Sequence, residues 1–145
     1  MLAHFFYKIP LPKTLPNEIE KEVRILKRIK KKDLVLQKAY QILITKFQGA
    51  FSFENLQDHF TKGLKSLWHV KRQHCTAMNY FLRILLVKSG HFREKDIRLK
   101  YSFFIISPHQ YLDIKTKNGW FNMDPWTGTK GLKLGDHGYG LHWRG

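Results

Sequence analysis

Gln73–Gly90 reads Q-H-C-T-A-M-N-Y-F-L-R-I-L-L-V-K-S-G, and the way this stretch folds decides the rest of the chain. From Ala77 to Val87 it is apolar on nearly every side. That is the pattern of a helix buried inside a domain rather than laid on its surface. Gly90 is the stop, because glycine takes the left-handed conformation at C′ without steric cost. The chain's one cysteine, Cys75, falls at the start of this helix. The first N–H groups there have no intrahelical acceptor, and the helix dipole presents its positive end. A thiol in that position is biased toward the nucleophilic thiolate, and Lys71, Arg72 and His74 push the same way. The question for the remaining residues is whether they supply a base for Cys75 and an acid to orient it.

Upstream, residues 1–15 read as an extended arm held down by Phe5, Phe6 and Tyr7, with Pro10, Pro12 and Pro16 opposing a helix. Asn17 followed by Glu20 is a capping signature for a helix with Ile19, Val23, Leu26 and Ile29 on one face. Its acidic residues (Glu18, Glu20, Glu22) come first and its basic run (Lys27, Arg28, Lys30, Lys31, Lys32) last, as the dipole prefers. Asp33 is the expected cap of a second helix, Leu34 to about Phe47. Ser52 is the expected cap of a third, apolar at Phe53, Leu56, Phe60, Leu64 and Leu67. Trp68 and His69 then lead into the central helix.

Downstream of Gly90 the period changes to two. Ile97, Leu99, Tyr101, Phe103 and Ile105 alternate with polar residues, a strand that Pro108 is expected to end. A second strand, His109 to about Thr116, and a third, Trp120 to Asp124, flank the turn residues K-N-G. From Pro125 onward six glycines predict mostly loop. Helices first and an antiparallel sheet second make the expected fold α+β. It is a single domain over 1–145, with a helical part at 16–90, a sheet at 96–125 and a glycine-rich tail at 126–145.

His109 and Asp124 stand fifteen residues apart on the paired strands. A turn of Asn118-Gly119 alone would put Asp124 opposite Asp113, too far along the strand to reach His109. A four-residue loop, Thr116–Gly119, puts Asp124 opposite Tyr111 and diagonal to His109, where side chains can meet. The second register is the one expected. Asp113 shares the face and is the weaker alternative orienter. A cysteine on a helix start, a histidine on one strand and an aspartate on the next are the parts of a nucleophile, a base and an orienting acid.

In these residues the chain resembles the transglutaminase-like superfamily of papain-like cysteine enzymes. The likeness covers about residues 68–126 and lies in three pieces: C-T-A-M-N-Y-F-L-R-I-L-L-V-K-S-G from Cys75, H-Q-Y-L-D-I from His109, and G-W-F-N-M-D-P from Gly119. Trp120, Asp124 and Pro125 match the family pattern, whereas Tyr111 replaces its tryptophan and Gln73 its glycine two residues before the cysteine. The resemblance implies a cysteine-bearing central helix packed on an antiparallel sheet, with Cys75 the nucleophile, His109 the base and Asp124 the orienter. It implies chemistry on a peptide or side-chain amide through a thioester, by hydrolysis or by acyl transfer to an amine. The Cys75 N–H is the first candidate oxyanion donor. Gln73 and Trp68 are candidates for the second, and Tyr111 is a candidate lining of the cleft.

Composition bounds these readings. With 43% hydrophobic residues the chain can build a core. No apolar run reaches transmembrane length, and M-L-A-H-F-F-Y-K-I-P lacks the features of a signal peptide. A lone cysteine makes no internal disulfide, so a cytoplasmic setting is expected. No paired Cys or His spacing supports a metal, although His137 and His142 lie in the tail, and no cofactor is expected. Twenty-six Lys and Arg against 11 Asp and Glu give a net charge of +15, enough for non-specific attraction to anions. A silent binding module or a nucleic-acid-binding domain is therefore the alternative function. Trp120 and Trp126 read as packing around the sheet end, and Asp136–Trp143 as a possible lid.

Overall fold

The computed structural model describes residues 3–51, 63–104, 107–136 and 141–144. One helical turn, α1 (Ala3–Phe6), opens an otherwise extended arm. α2 (Asn17–Lys27) turns Ile19, Val23 and Leu26 inward. Its cap is Pro16, so Asn17 is the first helical residue and makes no side-chain cap. α3 (Lys32–Lys46) begins after Lys31 and carries Asp33 in its first turn, where a carboxylate suits the dipole without capping. The start of the third expected helix, 52–62, lies outside the described residues, and its end is α4 (Leu64–His69). The strands β1 (Gln48–Gly49) and β2 (Arg72–Gln73) pair in parallel just before α5 (Cys75–Lys88). Two-residue pairings of this kind leave no periodic trace in a sequence.

α5 is the axis of the molecule. Met78, Phe81, Leu82, Ile84, Leu85 and Leu86 on it are fully buried. Phe81 stacks on Phe47 at 5.4 Å and meets Trp68 edge-on at 4.9 Å. Each such side chain contributes about 1.5–3 kcal/mol by leaving water. The helix ends at Ser89, and Gly90 takes a φ of 82°.

The main sheet has the order β5-β4-β3-β6, all antiparallel. Its strands are β3 (Ile97–Phe104), β4 (Ser107–Thr116), β5 (Gly119–Met123) and β6 (Leu141–Arg144). The fold is α+β. Pro108 does not end a strand but lies inside β4 opposite Phe103. β5 pairs only with Leu112–Thr116, so this part of β4 has one side unpaired, where a residue without an N–H is tolerated. Thr116 pairs with Gly119, so the turn itself is Lys117-Asn118. The expected loop was two residues too long, but its register is the observed one: Leu112 opposes Met123, which places Asp124 level with Tyr111. The tail, expected to be mostly loop, also contains two short elements. It forms α6 (Pro125–Gly128) and then β6 at the sheet edge beside β3.

The sheet has two unlike faces. Ile97, Leu99, Tyr101, Leu112, Ile114 and Met123 are buried toward the helices. The residues between them, paired directly across the ladders, put Arg98, Lys100, Ser102, His109, Tyr111, Asp113, Asn122 and His142 on the other face.

Candidate active site

Cys75 is the first residue of α5, after His74 as N-cap. It is the free thiol of the chain and keeps 9% of its surface exposed. The segment leading into it is fixed by backbone bonds: Gln48 N donates to Lys71 O (2.9 Å) and Ala50 N to Gln73 O (2.8 Å).

His109 lies on β4 beyond the residues that β5 pairs with, and its side chain is 12% exposed. Nε2 is 2.7 Å from Asp124 Oδ2, and Cys75 is near enough to the same ring to favour its protonated form. Burial lowers the affinity of His109 for a proton. The bonds to Asp124 and Cys75, and the negative charge of each, outweigh it and raise the pKa from 6.5 to about 10. The imidazole is therefore held protonated across the neutral range.

Asp124 follows β5 and is 2% exposed. Its two oxygens do different work. Oδ2 accepts from His109, and Oδ1 accepts from Thr127 N at 3.1 Å, capping α6, where Pro125 fills the first helical position. α6 is itself docked on β1. Trp126 Nε1 donates to Ala50 O (2.9 Å), Gly49 N to Thr129 Oγ1 (2.9 Å) and Lys130 Nζ to Gly49 O (3.1 Å). The turn that carries the acid and the segment that leads into the cysteine thus share one backbone support, Gly49–Ala50.

The other candidates divide. Asp113 is bound twice by Arg98, at 3.1 and 2.9 Å, and is committed there. Tyr111 lies beside His109, its ring 6.2 Å away and nearly parallel, and its hydroxyl meets His142 Nδ1 at 2.9 Å. Burial first, then Asp113 and Asp124, pushes this phenol up to about 12, so it keeps its proton across the neutral range. Gln73 is not an available oxyanion donor. Its buried Nε2 donates to Leu67 O (2.6 Å) and Val70 O (2.8 Å), which uses both amide hydrogens. Trp68 is likewise a correction: its ring packs on Phe47 and Phe81 in the core. The Cys75 N–H, at the first helical position, is the donor that remains.

Trp126, read from sequence as packing, is closer to the site than expected, with its ring 5.2 Å from that of His109. Its place two residues after Asp124 was the available clue. Trp120 instead lies under the Arg98 guanidinium, 3.5 Å from the ring centre. Among the described residues no group of three His, Cys, Asp or Glu is placed to hold a metal ion; His137 is outside them and His142 is in β6. The lid expected over Asp136–Trp143 is corrected for its last three residues, which are paired into the sheet, while 137–140 lie outside the described residues. No helix among the described residues is long and apolar enough to cross a membrane.

Comparisons with protein-family models, with curated proteins and with solved structures find no match for this chain.

Proposed function

We propose that the protein is a cysteine hydrolase of transglutaminase-like type that cleaves a peptide or side-chain amide. The observation that carries this reading is the 2.7 Å bond between His109 Nε2 and Asp124, with Cys75 near enough to the same ring to raise its affinity for a proton. The Cys75 thiolate attacks the amide carbonyl carbon. A C–S bond forms, and the carbonyl oxygen becomes an oxyanion facing the Cys75 N–H. The imidazolium gives its proton to the amide nitrogen, the C–N bond breaks, and an amine leaves a thioester behind. Neutral His109 then takes a proton from water, whose oxygen attacks the thioester. The C–S bond breaks to release the acid, and the proton returns the pair to its starting state. Asp124 acts by holding the ring with one nitrogen toward the sulfur.

Acyl transfer to an amine uses the same first half and differs only in the second nucleophile. Hydrolysis is preferred because no described feature marks a channel for an amine. A reducing compartment such as the cytoplasm would keep Cys75 a thiol. The test is alkylation of Cys75 at neutral pH, read by mass spectrometry beside turnover of amide reporters. Rapid alkylation that slows at least tenfold in His109→Ala is expected; a rate no faster than that of a free thiol, unchanged by the substitution, refutes the reading.

A further inference from the structure

Lys100 sits directly opposite Tyr111 on the His109 face of the sheet, displaced from His109 by two strand residues, roughly 7 Å along the strand. It is half-buried, its Nζ lies 5.3 Å from the centre of the Tyr111 ring, and its polar partner is Asn122 Oδ1 at a long 3.4 Å. Among the described residues no carboxylate pairs with it. The neighbouring cation on the same strand and face, Arg98, is spent on Asp113 and on the face of Trp120. A part-desolvated ammonium held beside an aromatic ring attracts a carboxylate more strongly than an open surface lysine does. Because Asn122 turns its oxygen to Lys100, its Nδ2 is a donor without an acceptor among the described residues. An N–H of Lys100 and an N–H of Asn122 side by side match the two oxygens of one carboxylate.

Asn122 also forms the near wall of an open crevice of about 620 Å³ that passes Lys130 and Lys133 and reaches Asp136. Lys130 turns its Nζ to Gly49 O, so the crevice presents Lys133 against Asp136 and extends the wall beside Asn122 without a strong charge of its own.

We propose that Lys100 and Asn122 form a carboxylate-recognition subsite beside the Cys75–His109 pair, so that the substrate is a peptide carrying an acidic residue within one or two positions of the amide that is cleaved. That the bound peptide is a substrate rests on the proposed hydrolase reading; that the site binds a carboxylate does not. An acidic side chain laid against Lys100 fixes the register of the peptide and brings a nearby carbonyl over Cys75.

The test uses two unreactive N-acetylated tetrapeptide amides that differ only in Glu or Gln, titrated calorimetrically into the full chain carrying Cys75→Ala. The Glu peptide is expected to bind about tenfold more tightly. Lys100→Met, which keeps the apolar stem, should remove that preference, and Lys100→Glu should reverse it in favour of a Lys peptide. Asn122→Ala should reduce it, with thermal unfolding showing each variant folded. Equal affinity for the two peptides, or a preference that survives Lys100→Met, overturns the subsite. If Lys100→Met does not fold, Asn122→Ala and Lys100→Arg carry the test, the first expected to lower the preference and the second to keep it. Turnover of the same sequences as reporters by the native chain separates the two claims. A Glu preference in binding without turnover sinks the hydrolase and leaves the subsite; turnover without a Glu preference does the reverse. Where both hold, Lys100→Met should raise KM for the acidic reporter about tenfold and leave kcat within about twofold.

Discussion

Asp124 serves two donors at once, and its substitution can separate them. Asn at 124 keeps an oxygen for Thr127 N and so keeps the cap of α6, but its amide offers an N–H to His109 Nε2 and stabilises the wrong tautomer. In a serine-protease triad the equivalent change costs about four orders of magnitude in turnover. The loss expected here is smaller, about two to three orders, because a thiol is more acidic and intrinsically more nucleophilic than a serine hydroxyl and depends less on a well-oriented base. Cys75→Ala should abolish turnover and His109→Ala nearly so. Asp113→Asn should leave turnover within a few-fold, since Asp113 answers to Arg98; reporter kinetics on the four variants decides, and a dead Asp113→Asn beside an active Asp124→Asn would name the wrong acid. The raised His109 pKa gives a second expectation. The imidazolium that must protonate the leaving amine persists until the pH passes about 10, so the alkaline limb of kcat/KM should lie near 10. The folded state holds the His109 proton more tightly than the unfolded chain, with 6.5 as the unfolded value. Its contribution to stability is therefore full below about 6.5 and lost as the pH rises through about 10. Thermal unfolding of the native chain and of His109→Gln across that window should converge as the pH approaches 10. An alkaline limb of kcat/KM near 7 would show that the surroundings of His109 do not hold its proton.

Between α6 and the lead-in to Cys75, Gly49 is where two elements touch without room for a side chain. A Cβ there would stand 2.8 Å from Thr129 Oγ1 and 2.9 Å from Trp126 Nε1. Gly49→Ala should therefore push α6 away from β1, at about 1–3 kcal/mol of stability, and should carry Asp124 with it. Turnover should fall more than tenfold while the protein, still folded at room temperature, keeps its circular dichroism spectrum. Unchanged turnover would mean that β1 does not position the acid. No periodicity announces this contact, which explains why the sequence left it unread. α2, α3 and α5 were legible because each repeats apolar residues at helical spacing over three turns or more, and β3 because it alternates. Cys75 and Asp124 could be singled out because each sits at an element boundary with its own punctuation, the apolar run after Cys75 and Pro125 after Asp124; His109 lies inside β4 and was singled out by its fifteen-residue spacing from Asp124, not by Pro108. Gln73 and Trp68 were misread because a polar or aromatic side chain near a site has no sequence mark of its direction. Here the carbonyls of Leu67 and Val70 took the first and the Phe47–Phe81 cluster the second. β6 was hidden by the glycines around it, and its partner, β3, supplies the pairing that its own composition does not advertise.

Across the whole molecule the net charge is +15, and the cations among the described residues are spread over several elements. Those of α2 and the turn after it, Arg24 through Lys32, face solvent at the helix end. Lys46 lies over Trp68, Lys65 pairs with Glu18, and Lys130 lies over Phe51. A charge spread in this way attracts any polyanion but selects none, because sequence is read by groups aimed at base edges rather than by total charge. Nucleic acid should therefore bind, if at all, through counterion release, with affinity falling by orders of magnitude between about 50 and 200 mM salt. Oligonucleotides of different sequence and equal length should be indistinguishable. Fluorescence anisotropy over a salt series gives the slope of log affinity against log salt, and the number of phosphates neutralised follows from it. The Lys100 subsite separates this behaviour from the proposed peptide recognition. Lys100→Met removes one charge of many and should change that slope by less than about one unit, while it removes the preference for Glu over Gln. A sequence preference that persists at high salt would show a dedicated nucleic-acid surface and would make the basic residues, rather than Cys75, the place to look for function.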